Sequence, residues 1–120
     1  MKIVSQQVQE LSIASLESTY MKLSNAYESM TEKGSNTTLV LKRRDAIKVG
    51  LDSLRDVWWD EKIFCEEEAI LQSKDILQSM IPSIEKQLAK VGDGSPQKTL
   101  NMRRLTALEL AIESLEDRLN

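Results

Sequence analysis

The 120-residue sequence contains no histidine. No Ser-His-Asp triad, imidazole base or histidine metal ligand can therefore be assembled from it. Its single cysteine, Cys65, excludes an internal disulfide and a cysteine-rich zinc site. Four glycines and two prolines are too few for the many turns of a β-sandwich or for a disordered linker. No stretch approaches the roughly 20 apolar residues of a membrane span. The opening residues Met1 to Gln7 turn polar too early for the apolar run of about 7–15 residues in a signal peptide. The net charge of −3 offers no excess of positive charge for nucleic acid. These absences predict a single all-α domain in the cytoplasm, with a protein partner and neither nucleic acid nor membrane as ligand. One unpaired thiol agrees with that compartment. Asn36-Thr37-Thr38 matches a glycosylation acceptor but reads as a polar turn.

Two clusters of helix breakers divide the chain. They are Glu32 to Thr38, containing Gly34, and Gly92-Asp93-Gly94-Ser95-Pro96. Residues 5–32 read as one helix, because Ile13, Leu16, Tyr20, Leu23, Tyr27 and Met30 recur at helical spacing. Residues 96–119 read as another. Ser95 supplies an N-cap and Pro96 the first helical position. The stripe Leu105, Leu108, Ile112, Leu115 and Leu119 follows, widened by Ala107, Leu110 and Ala111. This stripe is expected to be buried against Leu77, Ile81 and Ile84.

Residues 38–91 carry two apolar faces. One runs through Ile47, Leu51, Leu54 and Trp58, the other through Ile63, Ile70, Leu77, Ile81, Ile84 and Leu88. The step from Trp58 to Ile63 rotates the face by about 140°. No glycine or proline lies between Leu51 and Ile81. The preferred reading is one very long helix, kinked at Pro82, with the first and third helices folded back along its two halves as antiparallel hairpins. At a rise of 1.5 Å per residue it would extend about 81 Å. The alternative breaks the helix near Asp60, as an N-cap, and gives a compact four-helix bundle.

The elongated reading leaves apolar surface open and predicts a homodimer. Trp58, Trp59 and Leu110 are its candidate interface residues. Asp60, Glu61, Glu66, Glu67 and Glu68 form a candidate acidic patch, and Lys98, Arg103 and Arg104 a candidate basic patch. Arg43 and Arg44 are expected to face Glu28 and Glu32 across the first turn.

Catalytic, cofactor and metal residues are expected to be absent. The loop from Gly92 to Thr99 has Gln97 where a phosphate-binding loop needs glycine, and a helix precedes it instead of a strand. All-helical nucleoside triphosphate pyrophosphohydrolases hold magnesium with Glu-Glu-x-x-Glu and Glu-x-x-Asp. Here Ile70 stands where the first element needs its third glutamate, and Glu113 with Glu116 only half-matches the second. Cys65 has acidic neighbours and no histidine to activate it. The resulting expectation is a non-enzymatic, self-associating adaptor or small chaperone. An acidic immunity or inhibitor protein that neutralises a basic partner is the alternative, and a carboxylate-metal nucleotide pyrophosphohydrolase the third reading.

Overall fold

Ser5 opens the first helix by accepting the Val8 N–H on its hydroxyl at 3.2 Å. The computed structural model describes residues 1–120. It holds four helices: α1 (Gln6–Glu32), α2 (Thr38–Trp59), α3 (Glu67–Lys90) and α4 (Pro96–Leu119). Thr37 holds the N-cap position of α2 without a side-chain cap bond, and the Asn36 side-chain oxygen before it accepts from the Thr38 N–H at 2.9 Å. Ser95 caps α4 as its position before Pro96 predicts. α3 continues through Pro82.

The single long middle helix is not present. α2 ends at Trp59, and Asp60 adopts a left-handed conformation with φ of 55°. The N–H groups of Asp60 and Glu61 return to the carbonyls of Asp56 and Arg55, at 3.1 and 3.3 Å. This terminates a helix without glycine, because the short polar side chain of Asp tolerates that region. Asp60 therefore closes α2 and does not cap α3. The cause lies in the face shift. An unbroken helix would point its two apolar faces about 140° apart, toward separate cores. Reversing the chain over residues 60–66 turns both faces into one core.

The helices run up-down-up-down, and the backbones of α1 and α3 make no close approach. α4 packs against all three others, which explains the width of its apolar face. Leu108, Ile112 and Leu115 are buried, as is Leu77, with Ile81 and Ile84 packed on the core's margin. Leu110 is only 1% exposed. It is a core residue, which removes it from the candidate interface.

The α2–α4 diagonal is closed by small residues. Gly50 and Ser53 on α2 meet Ala111 and Ser114 on α4. A Cβ at Gly50 would stand 3.1 Å from the Ala111 Cβ, so these backbones approach closely enough that even a methyl group there is tight. The Ser53 and Ser114 hydroxyls hydrogen-bond to each other. One turn lower, Arg118 donates to the Ser53 hydroxyl at 2.6 Å and to Asp56 at 2.8 Å. These pairings hold nearly one sequence offset, 61 to 65, so α2 and α4 lie parallel.

Burial of apolar side chains is confined to one half of the bundle. No residue from Glu17 to Asp45 is buried, and none from Gln78 to Leu100. Those segments are the facing arms α1–α2 and α3–α4. They extend beyond a core that gathers Ile13 of α1, Ile47 and Leu54 of α2, Leu77 of α3 and Leu115 of α4. The radius of gyration, 14.6 Å, exceeds the roughly 13.5 Å of a close-packed chain of this length. The extents of 39 × 38 × 20 Å fit a flattened, splayed bundle.

Candidate functional site

The two ends of the bundle carry opposite charge. At the closed end, the α2–α3 connection gathers Asp60, Glu61, Glu66, Glu67 and Glu68, all exposed. Lys62 is the one cation among them. Its ammonium lies 2.7 Å from the Asp60 carboxylate. That hydrogen bond holds the Asp60 carboxyl below its ordinary pKa and raises the Lys62 pKa. The contact is at full strength above the ordinary carboxylate pKa and is lost as pH falls through the lowered Asp60 value. Both groups are fully exposed, so it shapes the loop more than it stabilises the fold. Arg55 holds Glu17 at 2.6 Å and reaches Glu61 at 3.9 Å, tying the connection to α1.

Aromatic side chains project from the same connection. Phe64 is 90% exposed and Trp59 43%. Trp58, about 100° away on the helix, packs against the core. The adjacent tryptophans thus divide between interior and surface, as their angular separation requires. No three carboxylates or cysteines converge closely enough to hold a metal ion.

At the open end, the diverging arms bound a cavity of about 310 Å³. Leu16 and Leu23 of α1, Met80 and Ile84 of α3 and Leu108 of α4 give it an apolar wall. Lys22, Arg43 and Arg104 supply its charge. A second recess adjoins it through Lys22, Gln87 and Arg104, and adds Lys90 and Asn101. No carboxylate lines either recess. None of Lys22, Arg43, Lys90 and Arg104 belongs to any ion pair of the fold.

Three buried polar atoms make no hydrogen bond within the protein: Ser15 Oγ, Arg43 Nε and Asn101 Oδ1. All three residues line these adjoining recesses. An unsatisfied buried polar group costs about 1–3 kcal/mol, and more when charged. Such groups are ordinarily scattered and few, so their collection in one cleft marks it.

No protein-family model, curated protein or solved structure matches the chain. The site residues are therefore read from their chemistry alone.

Lys98, Arg103 and Arg104 do not form one basic patch. Lys98 is bonded to Asp93 and is not free. Arg103 faces a separate groove with Val8, Leu11 and Met102, between α4 and α1. Only Arg104 enters the cleft. Adjacent helical residues point about 100° apart, so Arg103 and Arg104 cannot share one surface. The pairing of Arg43 and Arg44 with Glu28 and Glu32 is also not formed. Arg44 lies over the Tyr27 ring, 5.1 Å from its centroid, and pairs with Asp45 at 3.3 Å. Lys22, Arg43 and Lys90 were not legible as site residues, since they lie on three helices far apart in sequence.

Proposed function

We propose that this chain is a non-enzymatic protein-interaction protein that binds a basic partner through the α2–α3 connection, as an acidic immunity or inhibitor protein does. The observation that carries the reading is Phe64, 90% exposed between exposed carboxylates. Exposing a phenylalanine ring forgoes burial of an apolar side chain, worth roughly 1.5–3 kcal/mol. An apolar pocket on a partner would recover that, and Trp59 beside it adds an aromatic anchor of the kind that dominates interfaces. The surrounding carboxylates select a basic rim and speed its approach.

Self-association, as a homodimeric adaptor or small chaperone, is the second reading, and exposed Trp59 with Val57 and Leu71 favours it. A two-fold axis through this connection would set its carboxylates against identical carboxylates, with only Lys62 to offset them. That repulsion weighs for a basic partner over a second copy.

The tagged chain, captured from its native cell at low salt, is expected to retain a protein of basic isoelectric point. Phe64→Ala should lower the affinity at least about tenfold, the loss of one buried aromatic anchor. The triple charge reversal E66K/E67K/E68K should abolish steering and the salt dependence of association. Arg103→Glu, on another face, should change neither. An acidic partner, or retention unaffected by Phe64→Ala, would refute this reading. Loss of a dimer band on Trp59→Ala, with no second protein captured, would establish the homodimer instead.

A further inference from the structure

The cleft at the open end has a geometry that the α2–α3 connection does not explain. α2 and α4 lie parallel, and Ser53 faces Ser114 at a sequence offset of 61. Gly50 faces Ala111 at that same offset. Carried two turns toward the open end, the offset sets Arg43 level with Arg104. Both line the one cavity. Two guanidinium groups are thus brought to the same level of a cleft, with Lys22 beside them and no carboxylate in the lining.

Like charges so gathered repel, and the chain does not relieve them. Nineteen acidic residues are available in the sequence, yet none is placed there. The Nε of Arg43 is buried and makes no hydrogen bond within the protein. Ser15 Oγ on α1 is in the same condition. In the adjoining recess Asn101, only 6% exposed, also leaves its side-chain oxygen unpaired. Guanidinium groups match the planar oxygens of a carboxylate and the oxygens of a phosphate or sulfonate.

Below and between the cations, the cavity wall is aliphatic: Leu16, Leu23, Met80, Ile84 and Leu108. A bare inorganic anion would satisfy the arginines and leave this wall wet. A neutral apolar molecule would cover the wall and leave the arginines uncompensated. The volume of about 310 Å³ lies at the small end of ligand pockets and is too small to take several turns of helix.

The geometry points to a small-molecule site for an amphipathic anion, with its head on Arg43 and Arg104 and its aliphatic body on the Leu16–Ile84–Leu108 wall. The site is independent of the protein-binding connection at the other end. The ligand class is defined by chemistry alone: one compact anionic group on a flexible apolar chain.

Octanoate serves as the probe, with octanol and inorganic phosphate as its two half-ligands. Amide signals of the ¹⁵N-labelled chain are followed by NMR during titration. Octanoate should give saturable shifts at Thr19, Arg43, Ser83 and Arg104, and raise the melting temperature. Octanol and phosphate should each bind at least about tenfold more weakly, having lost one half of the interaction. Arg43→Gln and Arg104→Gln should each weaken octanoate at least about tenfold, while Arg103→Gln binds as wild type. The two arginine variants sit on different helices, and unliganded melting curves verify that each is folded. Both should melt no lower than wild type, since each removes an uncompensated like charge. Phosphate binding as tightly as octanoate would overturn the amphipathic assignment. Octanoate affinity unchanged in both variants, or shifts centred on Trp59 and Phe64, would overturn the site. Displacement of octanoate by an acidic helical peptide of far higher affinity would overturn the small-molecule class.

Discussion

Leu115→Ala is expected to lower the unfolding free energy by about 2–5 kcal/mol, whereas Leu100→Ala shifts it by less than about 1 kcal/mol. The substitution is the same, and both positions lie on α4. The difference is place. Leu115 is fully buried at the closed end, in a core to which all four helices contribute. Removing its methyl groups leaves a cavity that close-packed surroundings cannot fill. Leu100 is exposed on the open arm, where no residue from Gln78 to Leu100 is buried. Urea denaturation of both variants measures the contrast. Similar losses would mean that the arms are packed together as tightly as the base, and that no cleft exists.

Gly50→Leu is expected to be as damaging, at about 3 kcal/mol or more, for the opposite reason. A Cβ at this position stands 3.1 Å from both the Ala111 Cβ and the Leu77 Cδ1. Ala111 is anchored in the middle of α4 and cannot rotate away, so the helices must separate. Overpacking of this kind costs about 1–3 kcal/mol for single methylenes, and leucine adds three carbons beyond the Cβ. Gly50→Ala is the informative comparison. Its helix-propensity gain of about 1 kcal/mol opposes a displacement of a few tenths of an ångström, so the net change should be small. Thermal unfolding of the pair reads the result. A leucine variant as stable as wild type would contradict the close α2–α4 approach, and with it the alignment of Arg43 with Arg104.

Much of the fold is written locally. Ser95 before Pro96 announces a helix start, and the Leu108–Ile112–Leu115 stripe announces its own burial. Each signal lies within one turn or one helical face. The reversal at Asp60 is harder to read, because the usual markers of a break, glycine and proline, are missing there. Its trace is the five-residue step from Trp58 to Ile63, which fits a bent helix or a broken one until the partners of each face are known. The small residues Gly50, Ser53, Ala111 and Ser114 were a legible signal for close helix approach. Ala111 reads instead as mere widening of a face when α4 is considered alone. That narrow reading also sent Leu110 outward, although a helix with three neighbours has no apolar side to spare. The acidic connection is contiguous in sequence and could be found there. The cleft could not. Lys22, Arg43, Lys90 and Arg104 come together only through the tertiary register, and sequence proximity grouped Arg104 wrongly with Lys98 and Arg103.

Both sites depend on one event, the reversal of the chain between Trp59 and Glu67. Without it the acidic connection is a mid-helix surface, and the two arms of the cleft lie at opposite ends of a rod. Small-angle X-ray scattering on the purified chain, with mass from forward scattering, tests this directly. The expected result is a one-chain particle with a radius of gyration close to 14.6 Å, enlarged only by its hydration shell. A rod-shaped particle with a longest dimension near the roughly 81 Å of an unbroken middle helix would contradict it.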